Sequence, residues 1–496
     1  MSDTKLSRRQ ILKLGAGTAI AGPVLLEGCS DSPPAIVPAD AQIGVDAKPV
    51  LIDAGPLPDA DQGIIPDQTI PDSLIQLTPL AISQDDQRFS LAVQAGAMSQ
   101  TSALLWTYAE NEAPTRLRVW QADEDPISNY SFDQSVVHSD GYFKISVDGL
   151  SAGTWYAYAF FTDDEAGQSV ARSAAGRFKT APLATSEDVV TIAATTCTKT
   201  EDGPFKALST MADYDYDVVC HTGDISYNDG AVDLDGFRKK WKETLADPGY
   251  KSLFAKAGMY LTWDDHEITN NTWRPVTPQS VFDAGADAFF ETLAIPRIKG
   301  NQLWTSYVWG KTVEFIILDC RGERTSDKYI SDDQMNWLLQ RLAQSPCHFK
   351  MVFNSVPITE MPAIWLAKND RWQGNPVQRD QLLNFITDNQ LNNVWFLSGD
   401  FHVGLVSKVE TTGPRSSIRE ILPGPGAHSP NPLWTVAKGS SILMNQVAPA
   451  DQFAHFDGRN AATLLTFDPA KNAVRIRFID PDTKATWFDE WVTAAG

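Results

Sequence analysis

At 496 residues the chain has room for about three domains of about 150 residues each, so it is not a small stapled scaffold. Its 62 acidic and 41 basic side chains leave a formal net charge of −21, which excludes a protein that binds chiefly by neutralising nucleic-acid phosphates, and no nucleic-acid-binding surface is expected. Beyond the first thirty residues no apolar run is long enough to cross a bilayer, which excludes a polytopic membrane protein.

The N-terminus reads Ser7-Arg8-Arg9-Gln10-Ile11-Leu12-Lys13, followed by a short, weakly apolar stretch over residues 14–26. Paired arginines in that setting are expected to form a twin-arginine signal over residues 1–29, read by the twin-arginine export machinery. Export leads to the periplasm or the outside. Cys29 follows Leu26-Glu27-Gly28, similar to a lipoprotein cleavage site except for Glu27, so both a lipid anchor through Cys29 and a plain cleavage stay open. The stretch from Asp31 to Ser73 holds eight Pro, eight Asp and one Lys with no amphipathic period, and residues 30–76 are expected to form a disordered linker. Four further cysteines, Cys197, Cys220, Cys320 and Cys347, are too sparse for a disulfide framework.

Residues 77–184 carry short alternating runs at 91–97, 103–109, 115–122, 142–147, 155–162 and 176–180, separated by turn-rich segments. Strands at that spacing without helices predict a β-sandwich of immunoglobulin or fibronectin type. From 185 to 496 the pattern is α/β. Apolar strands are expected at 189–196, 217–223, 259–263, 312–318, 349–354 and 394–398, an antiparallel pair around 464–480, and helices at 332–343 and 376–388.

Chemistry in such a fold gathers at strand C-termini. The run 189–196 delivers Cys197, and 217–223 delivers Asp224 with Tyr227 three residues on. The run 259–263 delivers Asp264-Asp265-His266-Glu267, 349–353 delivers Asn354, and 394–398 leads through Gly399 to Asp400-Phe401-His402. One Asp or Asn at a strand end is usually a turn former. Five such ends converging at one sheet edge signal a dinuclear metal site, where two close cations need many donors and a bridging carboxylate.

Cys197, Gly223-Asp224-Ile225-Ser226-Tyr227, Trp263-Asp264-Asp265-His266-Glu267, Asn354 and Ser398-Gly399-Asp400-Phe401-His402 together resemble the calcineurin-like metallophosphoesterases. More narrowly they are similar to the alkaline phosphatase D (PhoD-type) branch, which also has a twin-arginine leader and a β-sandwich ahead of its catalytic domain. The resemblance implies a four-layer αββα metallophosphoesterase sandwich over 185–496. It places Cys197, Asp224, Tyr227 and His402 on a first metal. Asp224 then bridges to a second metal held by Asp265, Asn354 and Asp400. Thiolate, phenolate and imidazole suit Fe³⁺. The oxygen-only set suits Ca²⁺, with Mg²⁺, Mn²⁺ or Zn²⁺ as alternatives.

Five ionised ligands are matched by one trivalent and one divalent cation, so a bound phosphate ester calls for a further positive group. The candidates are His266, Lys199, Arg321 and Arg324. His266 and Arg321 are the expected catalytic side chains, Arg321 being equally well read as an ion-pair partner of Asp319. His221 is expected to orient a ligand, Asn270 and Asn271 to cap a loop, and His428 to lie on a loop that can line the cleft. The resemblance thus implies an exported monomeric phosphatase that hydrolyses phosphate mono- or diesters through a metal-bound hydroxide. Two alternatives are a phospholipase D-like or wall-polymer phosphodiesterase on the same fold, and a surface binding module with a relic metal site.

Overall fold

A computed structural model describes residues 79–122 and 129–494. The leader, Cys29 and the linker expected over 30–76 lie outside the described residues. Two large mixed sheets carry the α/β part. In the first, Val190–Thr198, Val218–His221 and Met259–Leu261 run parallel side by side, and Ala462–Asp468, Ala473–Ile479 and Thr486–Val492 extend it antiparallel on one flank. In the second, Val313–Ile317, Phe349–Asn354, Val394–Ser398 and Arg419–Leu422 are parallel, flanked by Thr305–Trp309, Gly404–Lys408 and Phe453–Asp457.

The strands are apolar on both faces because both faces are covered. Ile192 and Ala194 of the first sheet share one core with Phe315, Phe353 and Leu397 of the second. Ala193 and Val219 point the other way, onto Leu208, Phe237, Trp241 and Phe289 of flanking helices. Val352 and Phe396 likewise pack outward on Met335, Leu338 and Leu382. The order is therefore helix, sheet, sheet, helix. The expected helices occur at Asp332–Gln344, started by the Ser331 hydroxyl accepting the Gln334 N–H, and at Pro376–Asp388 with proline in its first turn.

The strands expected between 77 and 184 fall in two sheets, joined by two that the spacing did not suggest, Phe132–Val136 and Ser169–Arg172. Phe132–Val136, Thr115–Gln121, Trp155–Asp163 and Ser169–Arg172, with Gly176–Lys179, make a sheet of their own. Gln94–Gly96, Ala103–Tyr108 and Tyr142–Val147 instead continue the first α/β sheet, through the parallel pairing of Gly96 with Met259. Leu105 and Ile145 face Leu117, Val119 and Phe160, whereas Trp106 and Tyr142 face the α/β helices. The N-terminal strands are thus fused to the site-bearing sheet, and buried Gln94 strengthens the join by bonding both Thr292 O and the Ala294 N–H.

Candidate metal centre

The expected side chains come from two sheets, not from one sheet edge. Cys197, Asp224, Asp264 and Asp265 end strands of the first sheet; Asn354, Asp400 and His402 end strands of the second. Alternating apolarity identifies a strand but not the sheet it joins, which is why spacing alone merged them. Gly399 lets the two sheet ends meet: a Cβ there would lie 2.4 Å from Thr196 Oγ1. Gly223, at φ 106°, likewise has no space for a Cβ, which would lie 2.6 Å from the Asp264 backbone nitrogen.

Cys197, Asp224, Asp400 and His402 all have left-handed backbone, at φ 52°, 57°, 67° and 53°. Such conformations cost about 1–3 kcal/mol each and persist where surrounding bonds impose them. Glu267 is one such support. Its buried carboxylate accepts the N–H groups of Asp224 (3.2 Å), Ile225 (2.5 Å) and Asp264 (2.8 Å), bracing two ligand-bearing turns at once.

Three donors meet at Asp224. Cys197 Sγ lies 3.4 Å and the Tyr227 hydroxyl 3.1 Å from Asp224 Oδ2, and Tyr227 is 3.4 Å from His402 Nε2. Ligand atoms of Asp224, Asp265 and His266 form a second group within 4.8 Å of one another, and Asp264, Asp265 and Asp400 a third. Asp224 thus belongs to two clusters, as a bridging carboxylate would. Asp264 Oδ2 and Asp265 Oδ1 are buried with no hydrogen-bond partner. Leaving such atoms unsatisfied is costly, so the donor set fits cations bound among these residues.

Burial, then the neighbouring carboxylates, push the carboxyls of Asp224 and Asp400 well above the usual range. Burial likewise pushes the Asp264 carboxyl up to about 6, and raises the Cys197 thiol and Tyr227 phenol. A cation reverses this by supplying the charge that burial removes.

Arg321 is fully buried. Its Nε lies 2.5 Å from Asp264, Nη1 3.4 Å from Asp370, and Nη2 within 4.0 Å of both Asp265 and Asp400. Burial alone would lower its pKa, but Asp264, Asp265 and Asp370 outweigh that and raise it. The guanidinium therefore serves as counter-ion to the acid cluster, replacing the expected pairing with Asp319. That carboxylate instead accepts from Trp263 Nε1 and the N–H groups of Arg321 and Gly322. Arg324 is turned away, donating to Asn369 O and stacking over Tyr329. The Asn354 amide oxygen accepts from Trp372 Nε1 (2.9 Å) and Cys320 Sγ (3.2 Å). The sequence offered no sign of either donor, because both arrive from distant elements.

His266 stacks on Tyr227 at 4.0 Å, and its Nδ1 lies 2.6 Å from Asp229 Oδ2. Burial lowers its pKa, but the bond to Asp229 and the charge of Asp265 overcome this and raise it. Asp229, Glu267 and Asp264 were given no role of their own from sequence, although Asp264 and Glu267 stand in the Trp263-Asp264-Asp265-His266-Glu267 motif. His221 lies beneath the turn, bonded to Tyr250 and the Gly223 N–H, with its pKa lowered to about 3 by burial, so it is neutral and orienting. Asn270 and Asn271 contribute backbone N–H groups, to Asp229 and Asp265 respectively. His428 stacks on His402 at 3.5 Å, so its loop does line the site.

The family model for PhoD-like phosphatase matches residues 192–464, and that for the PhoD-like phosphatase N-terminal domain matches 76–182. Alkaline phosphatase D of Bacillus subtilis (strain 168) is 26% identical over 339 residues, covering 58% of this chain and 57% of its own, so the chain spans just over half the length of that relative. Among solved structures, that of PhoD aligns with a TM-score of 0.69 at 20% identity, over 82% of this chain and 89% of that one. A purple acid phosphatase from yellow lupin (Lupinus luteus) seeds aligns with 0.59 at 12% identity, over 81% and 74%. At those identities the two structures speak for the fold alone.

Proposed function

The chain belongs to the PhoD-like phosphatase family, and on that premise we propose that it is a metal-dependent phosphoric ester hydrolase with a two-cation centre. The observation that carries this reading is the meeting of Cys197, Tyr227 and His402 on Asp224 beside the unpartnered oxygens of Asp264 and Asp265. Cys197, Asp224, Tyr227 and His402 would hold one cation, and Asp224, Asp265, Asn354 and Asp400 the other, with Asp264 beside them. The softer, phenolate-containing set favours Fe³⁺ and the carboxylate set favours Ca²⁺. Two cations bound there supply Lewis-acid stabilisation of the transferring phosphoryl group and lower the pKa of a water.

The chain's own groups do the rest. Asp229 holds His266 by Nδ1, fixing the ring with Nε2 as the proton-bearing edge for the leaving oxygen. Tyr227 stacks on the face of that ring. Arg321 balances the acid cluster from within, and Glu267 holds the turns in place. The same proposal takes 1–29 as an export leader, 30–76 as a linker, 77–184 as an accessory sandwich and 185–496 as the catalytic part. Among the described residues no helix is long and apolar enough to cross a membrane.

The test is metal analysis and hydrolysis of a phosphate ester by purified wild-type protein and Cys197→Ala. The wild type should carry a transition metal, be coloured by a phenolate charge-transfer band and hydrolyse the ester, and the variant should lose all three. Hydrolysis at an equal rate in both, without transition metal, refutes the reading.

A further inference from the structure

We infer that Lys199 binds the extra negative charge of a phosphate monoester and so makes the centre selective for monoester dianions over diesters, an inference that rests on the phosphatase reading above. Lys199 stands two residues after Cys197, in the turn that its own N–H fastens to Ala427 O at 2.8 Å, next to the His428 loop. Its Nζ lies 6.0 Å above the ring of Tyr227, within cation–π range of a proposed ligand. The other cations near the site are committed. Arg321 is fully buried against Asp264 and Asp370, Arg324 is bonded to Asn369 O, and His266 is bonded to Asp229. Among the described residues Lys199 makes no ion pair.

The ester classes differ where such a group acts. A monoester at neutral or alkaline pH carries two charges over three terminal oxygens. A diester carries one charge over two, with an alkoxy group in place of the third oxygen. Buried Asp224, Asp264 and Asp265, with half-buried Asp400 beside them, make each added negative charge unfavourable. A compact ammonium on a flexible stem offsets the second charge without needing a fixed bidentate geometry.

The experiment uses the metal-loaded full chain and compares wild type, Lys199→Gln and Lys199→Arg on p-nitrophenyl phosphate and bis(p-nitrophenyl) phosphate. Calorimetric titration with inorganic phosphate and with dimethyl phosphate runs in parallel. Lys199→Gln should lose about 10- to 100-fold in kcat/KM on the monoester and at most about threefold on the diester. Its inorganic phosphate affinity should fall about tenfold, dimethyl phosphate binding should change far less, and Lys199→Arg should recover most of the loss. Equal losses on both esters, or unchanged monoester rate and phosphate affinity, overturn the inference. A wild type that hydrolyses neither ester refutes the phosphatase reading instead, and the phosphate titration then decides the role of Lys199 by itself.

Discussion

Replacing Glu267 tests whether the ligand turns are held by one carboxylate. In Glu267→Gln the amide can turn its oxygen toward the Asp224 and Asp264 N–H groups, but its NH₂ then faces the N–H of Ile225, now bonded at 2.5 Å. A stranded buried donor costs about 1–3 kcal/mol, and each surviving bond falls from about 1.5–3 kcal/mol for a charged acceptor to about 0.5–1.5 kcal/mol for a neutral one. The loss is about 3–6 kcal/mol. Unfolding entropy of roughly 2.1 cal/mol/K per residue puts a chain this long near 1 kcal/mol per K, so Tm should fall by about 3–6 °C. Glu267→Ala strands all three donors at about 3–9 kcal/mol, a large part of a typical total stability of about 5–15 kcal/mol. Differential scanning calorimetry on chelated and metal-loaded protein, with metal analysis of each, reads both effects. Metal content should fall further than Tm does, because Asp224 and Asp264 lose their backbone restraint. Two variants with wild-type Tm and full metal content would show that the turns hold themselves.

Asp229→Asn keeps a side chain within reach of His266 Nδ1 but removes the charge that raises its pKa. kcat should fall about 10- to 100-fold with KM little changed, and the alkaline limb of the kcat–pH profile should move to lower pH; a profile superimposable on the wild type contradicts the assigned pairing. Chelated protein should lose stability as pH rises. Burial pushes Asp264 and Asp319 up to about 6 and Glu267 up to about 7, all above their unfolded values. Their stabilising contribution is therefore complete below about pH 4 and lost as pH passes 6 to 7. The Tm of chelated protein should drop between pH 5 and pH 8 while the gap to metal-loaded protein widens; a gap independent of pH would refute this.

Much of the candidate centre was legible because each proposed ligand follows an apolar strand. Phe349–Asn354 and Val394–Ser398 have the expected ends, and Cys197, Asp224, Asp265 and His402 stand where the motifs put them. What was not legible lies across the chain from what it supports. Arg321 meets Asp264 over 57 positions and Glu267 reaches Asp224 over 43, separations that no local period records. Trp372 and Cys320, which donate to the Asn354 oxygen over 18 and 34 positions, are likewise invisible to a local motif.

By itself the sequence determined the alternation of apolar strands and helices, the polar residue at each strand end and the glycines that turn them, because these depend on side-chain period and local backbone freedom. Tertiary structure decided which strands share a sheet. It joined Gln94–Gly96 to Met259–Leu261 and brought His402 of one sheet against Cys197 and Asp224 of the other, and Asp400 against Asp264 and Asp265. It also raised the proton affinity of the centre's carboxyls and set Arg321 among them, since desolvation and the contacts of that buried guanidinium arise only when the two sheet ends close on one another.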